Sequence, residues 1–353
     1  MFVNKMTPAE RIGALLIGQT PDRVPVMPFV LGYAAKVCGM NLGDFYADGD
    51  KCFRAQLLAM DLHGYDQTPF YGYAAIGAWE FGGKIEFPYG PGHSAPIVIK
   101  HPVEEPEDVD KLEVPEPPAG SYKESIKVCR SAVKLGMPAI FQIGSAFTAT
   151  GNILEPARMM LWLRRQPDLV HKVLRKAAEF FIASAEYFVK QFGAERCIAF
   201  DGGPTESNKM ISAKQFGEFA FPYINQVHRK VLSLGVNVIL DHPCADQTKN
   251  ISYYEQIRAG APGIYIWNFG PETPLELQIE KFGKRDIIMG NVDPPSFQNK
   301  PYEEVLMLCK ENIEKGGKNP RGYILGPGCE MPPLAPPVNV HALIKAAKEY
   351  GRY

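Results

Sequence analysis

The feature that most constrains the fold is a regular alternation of short apolar runs with stretches of helical spacing. From about residue 139 onward, each run ends in Gly, Pro or Asp, and a polar, helix-compatible stretch follows it. Runs that are apolar almost throughout are typical of parallel strands covered by helices on both faces. Six runs follow this pattern, at 138–144, 196–204, 236–244, 263–269, 285–294 and 321–329.

Two further runs near the amino terminus complete a set of eight. The stretch RVPVMPFV covers 23–30, and a weaker run covers 65–71. Eight strands alternating with helices predict an α/β fold, the closed (β/α)₈ or TIM barrel. The runner-up is an open doubly wound sheet, but no GxGxxG motif opens a helix after a strand. We therefore predict one barrel domain over 1–353, although a typical domain length of about 150 residues would suggest two domains in a chain of this length.

Three shorter segments add detail to this barrel. Thr7, Pro8 and Glu10 form a capping-box pattern, which predicts that a helical extension precedes the first strand. The glycine-rich stretch 82–92 predicts a hairpin inserted after strand two. The acidic, proline-rich stretch 102–118 is typical of a solvated spacer, with a hinge or partner contact as the alternative.

Composition excludes several classes of protein. Lys and Arg number 38 against 39 for Asp and Glu, so the total charge gives no sign that the protein binds nucleic acid or an anionic membrane. No run of 18 apolar residues exists to span a membrane, and the start MFVNKMTPAERIGALL lacks a secretory pattern. Seven cysteines, an odd number in a large chain, favour a reducing compartment. We therefore expect a cytoplasmic protein.

The strongest chemical signal lies where strands end, because barrel enzymes carry their sites at the carboxyl ends of the strands. The fifth run ends in Asp241-His242-Pro243-Cys244, and strand periodicity puts His242 and Cys244 on one side. The eighth run ends with Cys329 on the same rim. One imidazole and two thiolates are a ligand set that zinc favours, so the pattern predicts a zinc site.

The alternative is two buried apolar cysteines beside a hydrogen-bonded histidine. If the three residues do bind zinc, their origin on distant strands leaves a coordination position open, which is the catalytic pattern. Structural zinc is less favoured, because closed sites usually bring four ligands in local pairs. The remaining cysteines are interpreted as packing residues: Cys38, Cys52, Cys129, Cys197 and Cys309.

Acidic residues also gather at the predicted rim. Asp201 ends strand four, Glu206 lies in the loop after it, and Asp293 ends strand seven. Each is a candidate catalytic residue, as a general base, a fourth zinc ligand or an acceptor that holds the histidine. The alternatives are loop capping for the two aspartates and simple exposure for Glu206. Gln142 and Trp267 are candidates for pocket lining or for core packing.

Four segments together resemble the uroporphyrinogen decarboxylase superfamily over nearly the whole chain. The opening ERIGALLIGQTPDRVPVMP is similar to the family's start, and GNVDP to its strand-seven signature. DGGPTESNKMISAKQFGEFAFPYI resembles the strand-four signature. The most specific match is the carboxyl-terminal ILGPGCEMPPLAPPVNVHALIKAAKEYG. The resemblance implies the same barrel fold.

Within that superfamily, the chain resembles the branch of zinc-dependent, corrinoid-linked methyltransferases. Those enzymes bind zinc through HxC and a distant Cys, which map to His242, Cys244 and Cys329. True decarboxylases have a histidine where Cys329 stands, and an arginine-rich stretch after strand one. Here that stretch reads PFVLGYAAKVCG, with Lys36 as its only cation. A substrate with many carboxylates would lack bidentate partners.

The resemblance implies a methyltransferase that moves a methyl group between a corrinoid protein and a small thiol or methylated substrate. It implies Zn²⁺ as cofactor, and methylcobamide (cobalamin) carried by a partner protein, since this chain has no corrinoid-binding DxHxxG motif. A homodimer is possible, as in the parent superfamily. Two alternatives stay open: a decarboxylase of a tetrapyrrole or smaller acid, and a non-catalytic barrel that binds a corrinoid.

Overall fold

The computed structural model describes residues 5–353, so the first four residues of the predicted domain lie outside it. Its strands are β1 (Lys84–Glu86), β2 (Ile97–Lys100), β3 (Ala139–Gln142), β4 (Cys197–Gly203), β5 (Val238–Pro243), β6 (Ile264–Trp267), β7 (Ile287–Met289) and β8 (Tyr323–Ile324). Strands β3 to β8 form one parallel sheet in sequence order. Consecutive parallel neighbours joined by helices are the topology of the predicted (β/α)₈ barrel.

Helices surround this sheet and join its strands. They are α1 (Pro8–Leu16), α2 (Gly32–Val37), α3 (Leu42–Ala47), α4 (Gly49–His63), α5 (Asp108–Lys111), α6 (Tyr122–Lys134), α7 (Ala146–Leu154), α8 (Pro156–Arg165), α9 (Pro167–Phe192), α10 (Ala213–Gln215), α11 (Phe221–Ser233), α12 (Ile251–Arg258), α13 (Leu275–Phe282), α14 (Pro294–Asn299), α15 (Tyr302–Gly316) and α16 (Pro337–Tyr350). A 3₁₀ turn (Ala194–Arg196) precedes β4, and a π-helix (Phe216–Ala220) joins α10 to α11. Within residues 5–353, no helix combines the length and apolar composition needed to cross a bilayer.

The first two predicted strands occupy strand positions without forming regular strands. Val26 makes one parallel bridge to Leu325 beside β8, and the amide of Met27 donates to the Leu325 carbonyl at 2.9 Å. On the other side, the amide of Asp66 donates to the Val26 carbonyl at 2.7 Å. Pro25 and Pro28 have no amide hydrogen, which interrupts the ladder in the first segment. The prediction of regular strands at these two places was wrong.

The two segments nevertheless line the barrel interior together with the sheet. A cavity of about 20 Å³ lies on the barrel axis, and its wall is Met27, Phe29, Gln67, Phe70, Ile140, Phe200, Leu240 and Met289. Because side chains alternate along a strand, the inward direction of Phe200 and Leu240 turns their sequence neighbours toward the helices. This alternation decides which polar residues can face the barrel mouth.

The amino-terminal extension is held by the predicted capping box and by buried ion pairs. The amide of Glu10 donates to the Thr7 hydroxyl at 3.3 Å, and the amide of Thr7 donates to the Glu10 carboxylate at 2.7 Å. Arg11 and Arg23 reach the Asp66 carboxylate at 2.6 and 2.9 Å. These pairs tie α1 to the first two barrel segments.

The predicted hairpin is present, although it extends further than residues 82–92. Strands β1 and β2 pair antiparallel, and Tyr89 in the turn packs on Gly43 of α3. The acidic segment 102–118 is anchored rather than free. Lys172 of α9 pairs with Asp110 at 2.7 Å, and Arg158 of α8 donates to the Val103 carbonyl at 2.6 Å.

Candidate metal centre at the barrel mouth

The structure brings the three predicted zinc ligands together. His242 is the penultimate residue of β5, Cys244 directly follows the strand, and Cys329 lies in the loop after β8. One ligand atom from each residue lies within 4.8 Å of the other two, and the two Sγ atoms are 3.9 Å apart. No other group of three such side chains is close enough to hold a metal in residues 5–353.

The orientation of His242 leaves one ring nitrogen for a metal. Its Nδ1 lies 2.7 Å from the backbone carbonyl of Asn268. A carbonyl can only accept, so Nδ1 carries the hydrogen and donates it. Nε2 is buried and has no hydrogen-bond partner. The ring of Phe29 covers the imidazole edge-on at 5.1 Å between centroids. A histidine that donates its other nitrogen to a carbonyl is the usual arrangement at metal sites.

The electrostatics of the cluster favour one thiolate. The hydrogen bond from Cys244, together with the charge of His242, lowers the pKa of Cys329 to about 4 despite burial. The same hydrogen bond and burial raise the pKa of Cys244. Burial opposes a charge on His242, but the negative sulfur of Cys329 raises its pKa overall. The site therefore already stabilises the anionic sulfur that a metal requires.

The distances suit a tetrahedral metal with sulfur ligands. Two thiolates at about 2.3 Å from zinc in a tetrahedron lie about 3.8 Å apart. The observed separation of 3.9 Å between the sulfurs of Cys244 and Cys329 matches this value without rearrangement. One imidazole nitrogen and two sulfurs are donors that zinc prefers over the hard cations. Three protein ligands would leave a fourth position for a substrate.

Asp201 lies away from this cluster, in the layer between the sheet and the helices. Its neighbour Phe200 lines the barrel cavity, so the Asp201 side chain projects to the opposite side. There its Oδ2 pairs with Nε2 of His228 in α11 at 2.8 Å. Asp241, its register partner on β5, faces the same layer. The catalytic role expected for Asp201 stays a prediction.

Glu206 is buried beside these aspartates. The alternative interpretation expected a simply exposed side chain, and that exposure is not observed. Its Oε2 accepts hydrogen bonds from the hydroxyl groups of Ser145 at 2.7 Å and Thr148 at 3.1 Å. Burial, with the nearby charge of Asp201, raises the pKa of Glu206 to about 8. Burial also raises the pKa of Asp241. Glu206 therefore keeps its proton at neutral pH.

This raised pKa predicts that stability falls as the pH rises. The folded protein holds the Glu206 proton up to about pH 8, whereas an unfolded glutamate releases it near about pH 4.3. Between these values the folded state binds more protons, so the free energy of unfolding decreases with pH. We expect Glu206→Gln to be more stable than wild type at pH 8, by on the order of a few kcal/mol. The advantage should shrink toward pH 5.

Denaturant unfolding at several pH values measures this effect. The matched control is Glu311→Gln, a substitution of an exposed glutamate on α15, which should reproduce the wild-type pH profile. An advantage of Glu206→Gln that does not change with pH would contradict the assignment of a retained proton.

Asp293 acts as the amino-terminal cap of α14. Its Oδ2 accepts hydrogen bonds from the amide of Ser296 at 3.2 Å and from the Ser296 hydroxyl at 2.8 Å. This is the capping role that the sequence offered as the alternative. A catalytic role for Asp293 stays a prediction without a structural contact that supports it.

The two candidates for pocket lining, Trp267 and Gln142, have different surroundings in the structure. Trp267 faces the helices, where its ring packs against Phe282 of α13 and its Nε1 donates to Asp286 at 3.1 Å. It is therefore a packing residue. Gln142, at the end of β3, lies against Gly72, whose missing side chain makes room for the amide.

Sequence reasoning missed the residues that support the ligands. Asn268 directly follows an apolar run and belongs to no recognisable motif, whereas Glu330 directly follows Cys329 inside the carboxyl-terminal segment that resembles the superfamily. Burial raises the pKa of Glu330 to about 7, and its Oε1 accepts from the amide of Gly32 at 3.2 Å. Proximity to a strand end was the only signal available for Asn268.

Comparison with known proteins gives the family. The chain matches the uroporphyrinogen decarboxylase (URO-D) family over residues 7–350. It is 25% identical over 360 residues to a methylcobamide:CoM methyltransferase from Methanosarcina acetivorans, covering 99% of both chains. It is also 25% identical over 260 residues to a uroporphyrinogen decarboxylase from Myxococcus xanthus, covering 71% of this chain and 70% of that one.

A solved structure agrees with the fold. A methyltransferase from Methanosarcina mazei superposes with a TM-score of 0.79 at 23% identity, over 98% of this chain and 99% of that one. The barrel architecture and the match from Thr7 to Tyr350 point to the same conclusion. This chain belongs to the uroporphyrinogen decarboxylase family.

Proposed function

We propose that this protein is a zinc-dependent methyltransferase that moves a methyl group between a corrinoid protein and a small thiol or methylated substrate. The observation that carries the proposal is the convergence of His242, Cys244 and Cys329 at the barrel mouth, with sulfurs 3.9 Å apart. The whole-length similarity to a methylcobamide:CoM methyltransferase supports the same reaction class.

The chain's own residues would prepare the centre for this chemistry. Cys244 and Cys329 would supply two thiolates, and Asn268 holds His242 so that Nε2 is free to bind. Bound zinc supplies Lewis acidity, which lowers the pKa of a thiol or polarises a methyl donor. Two thiolates balance the charge of the ion, so a bound substrate thiolate would keep its nucleophilicity. The ring of Phe29 shields the imidazole from water.

The corrinoid, as methylcobamide or cobalamin, would come on a separate protein that docks over the barrel mouth. The name of the Methanosarcina acetivorans relative supports a methylcobamide as one reactant. We further propose that the chain works as one domain in the cytoplasm, with a homodimer as a possible assembly. Roles for Asp201, Glu206 and Asp293 in proton transfer or as a fourth ligand remain predictions within this proposal.

Metal analysis followed by a methyl-transfer assay tests the proposal. We expect about one zinc per chain in the purified protein. We also expect demethylation of methylcobalamin, followed by its visible absorbance, with at least one member of a panel of small thiols. Activity from a methylated donor to Co(I) cobalamin would support the reverse direction. A well-folded protein that binds no zinc would overturn the proposal.

The second candidate is a cofactor-free decarboxylase, which the similarity to a uroporphyrinogen decarboxylase favours. Against it, the segment after the first barrel segment forms α2, whose only cation, Lys36, is exposed. No arginine in α2 could bind substrate carboxylates bidentately. Release of carbon dioxide from uroporphyrinogen by the metal-free protein would support this candidate.

A further inference from the structure

Asn268 is a fully buried amide at a junction of strand ends. It directly follows β6, and its backbone amide donates to the Asp241 carbonyl at 2.8 Å. Its side-chain Nδ2 donates to the Met289 carbonyl at 3.3 Å, at the end of β7. The same Nδ2 donates to the Pro327 carbonyl at 3.1 Å, in the loop that carries Cys329. One residue therefore joins the carboxyl ends of four neighbouring barrel elements.

Two of the three zinc ligands depend on this residue by different routes. The backbone carbonyl of Asn268 accepts the Nδ1 hydrogen of His242, which orients the imidazole. Its side chain holds Pro327, which stands two residues before Cys329. Gly290 makes the close approach possible, because a Cβ atom there would lie 2.8 Å from Nδ2. The amide thus sets the distance between His242 and the cysteine loop.

We propose that Asn268 is a positioning residue that sets the zinc affinity of the centre. This inference rests on the proposed zinc function. Without the side-chain amide, the Pro327 carbonyl would lose its donor. The loop would keep its backbone bond from the Gly328 amide to the Val292 carbonyl at 2.8 Å, but it would lose the bond that fixes the position of Cys329 relative to His242. Partners that orient metal ligands typically contribute about 10-fold to 100-fold in metal affinity. Asn268 makes no contact with the metal position itself and acts through the loop and the histidine.

The chain contains a matched control at the opposite end of the same strands. Asn319 is also buried, and its Nδ2 also donates to two carbonyls, those of Asp286 and Gly322. These carbonyls precede β7 and β8, whereas Asn268 joins the last residue of β7 to a residue that follows β8. In both residues Oδ1 is buried without a hydrogen-bond partner. Loss of either amide therefore costs similar packing and hydrogen bonding, but only one lies beside the cysteine loop.

Zinc and cobalt titration of the metal-free protein tests the inference. The variants are Asn268→Ala, Asn268→Asp and Asn319→Ala, with wild type alongside. We expect both Asn268 variants to bind Zn²⁺ about 10-fold to 100-fold more weakly than wild type. The visible bands of bound Co²⁺, which report ligand geometry, should also change. Asn319→Ala should lower the melting temperature but keep zinc affinity within about 3-fold, because it touches neither His242 nor the cysteine loop.

Wild-type zinc affinity and an unchanged cobalt spectrum in Asn268→Ala would overturn the inference, as would an equal loss of affinity in Asn319→Ala. If Asn268→Ala does not fold, Asn268→Asp keeps the side-chain size and carries the test. A wild-type protein that binds no zinc would overturn the proposed function itself. Zinc binding by wild type that is unchanged in the variants would overturn only the role of Asn268.

Discussion

Cys329→Ser should lose stoichiometric zinc and, with it, methyl transfer. A serine hydroxyl does not ionise near neutral pH, so the variant would keep only His242 and Cys244 as ligands. Because even the partners that orient ligands contribute about 10-fold to 100-fold, we expect zinc affinity to fall by more than about 100-fold. Elemental analysis of the purified variant and demethylation of methylcobalamin measure the two losses.

Cys38→Ser is the matched control for this substitution. Cys38 is also a half-buried free cysteine, but it lies at the end of α2 and its thiol donates to the Ala55 carbonyl at 3.5 Å. A serine can keep that hydrogen bond, so we expect normal zinc content and normal activity. A Cys329→Ser protein that retains one tightly bound zinc per chain would contradict the assigned ligand set.

Asp66→Ala should cause the largest loss of stability among the variants considered. The Asp66 side chain is fully buried and binds both Arg11 and Arg23, at 2.6 and 2.9 Å. It also accepts the amide of Val26 at 2.8 Å, in the first barrel segment. Removing the carboxylate would leave two buried guanidinium groups beside each other without that partner. Breaking a buried ion pair in this way costs about 3–5 kcal/mol.

Denaturant unfolding and thermal melting measure the change, with Glu304→Ala as the control. Glu304 pairs with Lys300 at 2.7 Å, but the two side chains are 55% and 43% exposed. Exposed pairs contribute about 0–1 kcal/mol, so this variant should melt close to wild type. A loss in Asp66→Ala no larger than in Glu304→Ala would show that Asp66 does not anchor the amino-terminal segments.

Much of the barrel was predictable because its strands lie in short runs that are apolar almost throughout. All six runs from 138–144 to 321–329 contain a strand of the parallel sheet. The two amino-terminal runs were harder, because hydrophobicity predicts burial but not hydrogen bonding. Pro25 and Pro28 reduce the first segment to isolated bridges, from Arg23 to Arg352 and from Val26 to Leu325. An apolar run with prolines can therefore occupy a strand position without becoming a strand.

The candidate metal centre was predictable in part for a similar reason. His242 and Cys244 are two residues apart, and that spacing puts them on one side of a strand in any sheet. Cys329 is 85 residues from Cys244, and only the shared position at strand ends connected it to the pair. Asn268 could not be found, because its role is a set of hydrogen bonds that involve backbone carbonyls: its amide donates to the carbonyls of Met289 and Pro327, and its own carbonyl accepts from His242. Backbone carbonyls have no signature in a sequence.

The sequence by itself determined the alternation of strands and helices, and the ligand types at two strand ends. The tertiary structure decided which direction each polar residue faces. Strands of a parallel barrel are apolar on both faces, so their sequence does not show which alternate residues point inward. Packing places Phe200 inside the barrel and Asp201 against His228, away from the mouth. A shift of the strand by one residue would turn Asp201 inward and Phe200 outward. The packing of the whole strand in the folded barrel selects the observed arrangement.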